Sequence, residues 1–309
     1  MIESVTKTRA IIFTTKNKID LTSLKRIKFN NAFSINPFDF LFFVVIFILM
    51  SDGLAITLAL LIPLAGTVLG SATVFFLKKE MNKKLQKALM GFASGVMIAA
   101  AFWSLLQPAI ETYADGEFRK WLVPAAGFVL GVGFMLLLDY LIPHIHLHGD
   151  EEGVKRPKLS RTFKFFLAVT LHNIPEGLAV GVVVAGMIGG GINYQAMLVL
   201  AIGIAIQNFP EGMIVSLPLK EEGMSKIKAF GLGALSGVVE PIASLIALAL
   251  TALITAILPY TLAFAAGVMV YVVIEELIPE ASQGSHSNLA TIGFTIGFII
   301  MMILEIMLG

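Results

Sequence analysis

His172, Asn173, Pro175, Glu176 and Gly177 form the stretch HNIPEG, and 35 residues later Gln207, Asn208, Pro210, Glu211 and Gly212 repeat it as QNFPEG. Imidazole nitrogen with amide and carboxylate oxygen is a ligand set for a divalent cation, and the chain has no cysteine to offer a thiolate instead. Helical spacing sorts these groups. His172 and Glu176 are four apart and share a helix face, as do Gln207 and Glu211, while Asn173 precedes Glu176 by three, as Asn208 precedes Glu211. If the two faces oppose, His172, Glu176, Gln207 and Glu211 make one cluster, and Asn173, Glu176, Asn208 and Glu211 make a second beside it. The two glutamates belong to both and would bridge two metal ions. Glu240, in GVVEP, is placed to complete the second cluster, and the Met97 thioether, in GFASGVMIAA, to join the first. Methionine is also the usual filler of an apolar core.

The prolines fit such a site. Pro175 has no N–H for the carbonyl of Leu171, and Pro210 none for that of Ile206, so each is expected to open its helix among the polar side chains. Opened backbone at membrane depth survives only where it is buried or lines a wet cavity. Gly177 and Gly212 are expected to let another backbone come close.

Membrane depth is the right setting. The chain is 57% hydrophobic and 14% charged, with a mean hydropathy of +0.88, far above a soluble domain. An all-α polytopic membrane protein is the fold class. Eight segments are long enough to span: Leu54–Leu77, Ala88–Ile110, Trp121–Ile142, Phe165–Met187, Tyr194–Leu219, Ala229–Ile254, Leu258–Ile278 and Leu289–Leu308. The loops after segments 1, 3 and 5 carry thirteen lysines and arginines, against Arg119 and Lys120 in the loop after segment 2. This predicts that the first set is cytoplasmic, the segment 3–4 loop included, and that the C-terminus lies outside. GxxxG spacings at Gly91–Gly95, Gly127–Gly131 and Gly293–Gly297 predict close helix contacts. Trp121 sits where an interfacial anchor is expected.

Residues 1–53 differ. They hold the cations Lys7, Arg9, Lys16, Lys18, Lys25, Arg26 and Lys28, and no small-residue cleavage site follows the next apolar run, so a secretory signal is not indicated. The expectation is a disordered basic tail, or, with Met50 as the initiator, a segment foreign to the native chain. The run Phe38–Met50 is short for a span but makes one extra N-terminal helix if it reaches back to Phe33 or past Gly53. Residues 54–309 are the transmembrane domain.

Seven acids fall within or at the edges of the spans: Asp139, Glu176, Glu211, Glu240, Glu275, Glu276 and Glu305. No lysine or arginine lies deep in a span to pair with them. Each costs roughly 2.5–3.5 kcal/mol at the centre of a membrane helix, so a cluster of them points to a counter-charge brought from outside, a cation as cargo. Asp139 and Glu305, near segment ends, are as readily neutral hydrogen-bonders or loop-facing groups.

With these residues in view, HNIPEGLAVG and AIGIAIQNFPEG resemble the helix 4 and helix 5 motifs of the Zrt/Irt-like (ZIP) family of divalent metal transporters. Gln207, GFASGVMIAAAFWSLLQPAIE and VVEP resemble its GufA-like branch, and the resemblance runs from about Leu54 to Gly309. It implies eight helices in a 3+2+3 inverted-repeat arrangement around a binuclear centre at mid-membrane. Carried over residue by residue, it implies a first site of His172, Glu176, Gln207, Glu211 and Met97, and a second of Asn173, Glu176, Asn208, Glu211 and Glu240. Some members have an acid in place of Asn208. It also implies an exit path on the inner side through Glu275 and Glu276 and through His144 and His146 of HIHLHGDEEG; His148 and His286 would join them, although a solvated linker is an equal reading of that loop.

The function so implied is a divalent metal cation transporter, zinc first, with iron, manganese or cadmium also accepted, moving metal into the cytoplasm by alternating access. Two other classes compete. An intramembrane metalloenzyme would show HExxH or a three-ligand open site, and neither is present, so no enzyme and no catalytic cofactor is expected. A proton-coupled carrier of another solute leaves the histidine and amides unexplained. The expected partners are a divalent metal ion and the bilayer, with a homodimer as an option and no nucleic acid. The expected location is integral in a prokaryotic inner (plasma) membrane.

Overall fold

Local capping chemistry sets where the helices begin. The computed structural model describes residues 52–76, 81–141, 144–145, 151–152, 161–221, 223–284 and 287–309. Among them, eight helices are long and apolar enough to cross a membrane: α1 Gly53–Phe75, α2 Lys83–Glu111, α3 Arg119–Leu141, α4 Arg161–Ile188 (its apolar span Val169–Ile188), α5 Tyr194–Glu221, α6 Lys226–Ala249, α7 Leu258–Ser282 and α8 Leu289–Leu308. α2 starts earlier than its apolar run predicts because the Asn82 side chain accepts from Lys84 N at 2.9 Å, which satisfies a donor of the first turn. Asn193 does the same for α5, accepting from Ala196 N at 2.7 Å. Just before it, Gly190 takes a positive φ of 76° and Gly191 N bonds back to Gly186 O at 2.9 Å, so α4 turns straight into an antiparallel α5.

Burial ranks the helices. The apolar windows of α4 and α5 are 72% buried, those of α2 and α7 67%, those of α1 and α6 39%, and that of α8 only 17%. The candidate motifs therefore sit on the two central helices. The outer helices turn large apolar side chains outward, as Val129 and Ile306 show at 68% and 71% exposure, the surface a bilayer would cover.

Four helix pairs carry the packing: α1 on α5, α4 on α6, α2 on α8 and α3 on α7. Glycines make each seam. Gly91 and Gly95 of α2 abut the backbone of Ala290 and Phe294, while Gly293 and Gly297 of α8 abut Ala88 and Phe92. Gly127 and Gly131 of α3 abut Tyr260 and Phe264 of α7. These are the GxxxG contacts expected from sequence. Gly66 and Gly70 bring α1 onto α5 at Ala205 and Phe209 by the same spacing.

Three features depart from expectation. α4 and α5 run unbroken through Pro175 and Pro210, although the carbonyls of Leu171 and Ile206 lose an N–H partner by chemistry. The helices widen elsewhere, into π-turns at Ala101–Leu106 in α2 and Val273–Leu277 in α7. There Gln107 N bonds to Phe102 O and Ile278 N to Val273 O, each just ahead of a proline, Pro108 or Pro279. Third, the segment expected over Ala229–Ile254 stops at Ala249, where the Thr251 hydroxyl takes the Leu248 carbonyl at 2.5 Å, and a short separate helix, Thr251–Ala256, follows.

In the loop before α4, the backbone forms a two-stranded antiparallel ladder, β1 His144–Ile145 with β2 Glu151–Glu152. His146, His148, His286 and residues 1–51 of the N-terminal extension lie outside the described residues. Trp121 opens α3, 60% exposed and edge-on to Phe118 at 4.7 Å.

Candidate metal centre

Each motif glycine locks its helix to a neighbour at the level of its glutamate. A Cβ on Gly177 would strike the backbone of Glu240 on α6, and one on Gly212 would strike Thr67 and Ser71 on α1. The Ser244 hydroxyl donates to Gly177 O at 2.7 Å, and that of Ser71 to Gly212 O at 3.3 Å. The anticipated close approach is therefore real, and it brings α1 and α6 to the two motifs.

The second cluster is knit by hydrogen bonds. Asn208 Nδ2 donates to Glu240 Oε2 at 2.8 Å and to the Pro63 carbonyl at 3.2 Å, and the Thr67 hydroxyl donates to Glu240 Oε1 at 2.9 Å. Gln207 Nε2 donates to Asn208 Oδ1 at 2.5 Å, and Asn173 Nδ2 to the Ser236 carbonyl at 3.0 Å. Asn173, Glu176, Gln207, Asn208, Glu211 and Glu240 are all buried, and the carboxylates of Glu176, Glu211 and Glu240 lie within electrostatic range of one another. Thr67 and Ser236 were not anticipated. A threonine inside the GTVLG seam and a backbone carbonyl give no pattern by which to find them.

Both Glu176 oxygens, Asn173 Oδ1 and Gln207 Oε1 are buried with no well-aligned hydrogen-bond donor. The side-chain amides of Gln207 and Asn208 are the near neighbours of Glu176, but Asn208 spends both its N–H groups on Glu240 and Pro63, and Gln207 gives one of its two to Asn208 Oδ1. These four are acceptor oxygens, and His172 Nε2 is likewise buried without a well-aligned hydrogen-bond partner. Buried polar groups are nearly always paired, so these oxygens call for a partner.

The first cluster is less assembled. His172 Nε2 lies 2.9 Å from Glu276 Oε1 of α7, and Met97 is buried on α2, which packs on α5. Among the described residues, no three or more His, Asp or Glu side chains gather closely enough to hold an ion alone, so any ligand set here includes the amides. Of the adjacent acids, Glu276 is buried and Glu275 exposed. Glu305 accepts from the Ser104 hydroxyl and Asp139 from the Tyr271 hydroxyl. Both thus act as the hydrogen-bonded acids allowed for them, and both face other helices.

The model of the ZIP zinc transporter family matches residues 151–305. The zinc transporter ZIP11 of Xenopus tropicalis is 38% identical over 79% of this chain and 94% of its own length. The zinc transporter GufA of Myxococcus xanthus is 37% identical, with 80% and 96% covered, and the zinc transporter ZIPB of Bordetella bronchiseptica is 36% identical, with 79% and 78% covered. With two antiparallel motif helices at the centre of eight spans and a buried pocket of acceptor oxygens, this chain belongs to the ZIP family of metal transporters, in its GufA-like branch.

Proposed function

We propose that this chain carries a divalent cation, zinc first and iron, manganese or cadmium in the same manner, into the cytoplasm through a two-ion centre at mid-membrane. One observation carries the reading: the acceptor oxygens of Asn173, Glu176 and Gln207 are buried without a well-aligned donor among three neighbouring carboxylates, an arrangement that suits a cation better than a neutral solute. His172, Glu176, Gln207, Glu211 and Met97 make the first site, and Asn173, Glu176, Asn208, Glu211 and Glu240 the second. Mixed oxygen, nitrogen and thioether ligands bind zinc reversibly, which a carrier needs. The metal is cargo, and an enzymatic role has no place.

A 3+2+3 inverted repeat underlies this reading. Exchanging α1 with α6, α2 with α7, α3 with α8 and α4 with α5 turns α1 on α5 into α6 on α4, and α2 on α8 into α7 on α3. The same exchange relates the two π-turns, and it relates the Ser104–Glu305 pair to the Tyr271–Asp139 pair. The hydrogen bonds around the centre join α1, α4, α5 and α6 to one another, which supports those four helices moving as one body against the α2–α8 and α3–α7 pairs. With the loop before α4 on the cytoplasmic side, cargo leaves past Glu276, with Glu275, His144, His146, His148 and His286 further out on that path. A prokaryotic plasma membrane and a homodimer complete the proposal.

The test is metal uptake by proteoliposomes. Glu176→Gln removes one of the two ligands common to both sites and abolishes uptake, whereas His172→Ala leaves most binding at the second site. Wild-type uptake by Glu176→Gln sinks the two-ion reading.

A further inference from the structure

We propose that Thr67 is a positioning residue of the second site, holding the Glu240 carboxylate ready for a cation. The inference rests on the two-ion reading above. α1 supplies no ligand to either cluster, yet one of its faces carries Pro63, Thr67 and Ser71 at four-residue spacing. The Pro63 carbonyl accepts from Asn208 Nδ2 at 3.2 Å, the Thr67 hydroxyl donates to Glu240 Oε1 at 2.9 Å, and the Ser71 hydroxyl donates to Gly212 O at 3.3 Å. A helical threonine commonly turns its hydroxyl back to the carbonyl four residues before it, as Thr57, Thr170 and Thr295 do. Thr67 does not. The carbonyl it would use, that of Pro63, receives the Asn208 amide, and the hydroxyl crosses to α6.

Glu240 needs such a holder. A Cβ on Gly237 would strike the Thr67 side chain, so α1 lies against α6 one turn before the glutamate. α6 is irregular there: Val238 N bonds back three residues to Leu235 O, and Pro241 has no N–H for the carbonyl of Gly237. Glu240 therefore projects from a loosened turn, and its side chain is fixed from outside α6, by Thr67 on one oxygen and Asn208 on the other. The last torsion of a glutamate is broad, and donors on opposite oxygens remove that freedom. A carboxylate has about four lone-pair positions. The two donors take one on each oxygen and leave one on each open, so a cation binds Glu240 without displacing Thr67. Loss of the hydroxyl leaves Asn208 alone on one oxygen and frees the other to swing.

The experiment titrates the full-length purified protein with zinc by calorimetry, for the wild type, Thr67→Val, Thr67→Ala and Thr67→Ser. Valine keeps the shape that lies over Gly237 and lacks the donor, alanine lacks the donor and is smaller in the same space, and serine keeps the donor. A group that orients a metal ligand is worth about tenfold to a hundredfold in affinity. In the valine and alanine variants the second binding step should weaken about tenfold or more while the first stays in place. Serine should return the second step close to its wild-type position. A second step that does not move without the hydroxyl overturns the proposal. So does one that tightens, which is the result if Thr67 only satisfies the carboxylate before metal arrives. Equal weakening of both steps, or a serine variant that behaves like valine, assigns Thr67 to packing alone and overturns it too. Failure of the underlying reading has a separate signature, a wild type that binds a single zinc ion, and the role of Thr67 falls with it.

Discussion

Asn208→Asp separates the empty centre from the filled one. The Asn208 amide gives its hydrogens to Glu240 Oε2 at 2.8 Å and to the Pro63 carbonyl at 3.2 Å. An aspartate has none to give. Two buried acceptors lose their donor, and a second carboxylate faces that of Glu240. Each orphaned acceptor costs about 1–3 kcal/mol, hence about 2–6 kcal/mol together, and a proton shared between the two acids brings the figure toward the low end. The filled centre reverses the sign. Two divalent ions bring four positive charges against three negative ones from Glu176, Glu211 and Glu240, and the aspartate supplies the fourth where uncompensated charge is costly. The assay is thermal unfolding of the purified protein in chelator and across a zinc titration, with calorimetry of the binding steps. The wild type should bind in two unequal steps, the first site filling at lower zinc. The variant should melt several degrees lower in chelator, gain more from zinc than the wild type, and show its second step at lower zinc. Equal melting in chelator, a second step that stays put, or two indistinguishable steps in the wild type would refute the assignment of Asn208 to the second site.

Three further expectations concern the frame. Ser104→Ala removes a buried hydroxyl that donates to Glu305 and should cost about 1–3 kcal/mol; an unchanged melting temperature would remove that contact from the account. Gly131→Leu drives a side chain into the backbone of Phe264 and Val268 and should prevent stable accumulation, whereas Gly133→Leu, with open space around it, should be tolerated; equal yields of the two would contradict the α3–α7 seam. Ser160→Cys places a single thiol in this cysteine-free chain, in the loop assigned to the cytoplasm. It should resist an impermeant thiol reagent in intact cells, and ready labelling would invert the orientation.

The spans were legible because burial in a membrane demands long apolar runs, and their number and order follow from hydropathy alone. The second cluster was legible too, because two helices carrying the same three- and four-residue spacings must present the same groups when they face each other. The glycine seams were half-read: Gly91–Gly95, Gly127–Gly131 and Gly293–Gly297 stood out, while Gly66–Gly70 and Gly177–Gly181, with identical spacing and the same close contacts, lie beside residues whose chemistry drew the eye first.

The prolines mark the limit. Each lacks an N–H and crowds the carbonyl four residues back, so sequence treats Pro108, Pro175, Pro210 and Pro279 alike. The structure does not. α4 and α5 pass Pro175 and Pro210 as regular helix, while α2 and α7 widen ahead of Pro108 and Pro279. The spare turn of α7 has a consequence that no periodicity contains. It decides which of two adjacent acids faces inward, and it sets Glu276 against an imidazole 104 positions earlier in the chain. Spacing rules reach one or two turns along a single helix. A contact between α4 and α7 depends instead on how two seams, α4 on α6 and α3 on α7, hold those helices in place. The ligand types were therefore open to reading from the motifs, but the contact of Glu276 with one of those ligands was not.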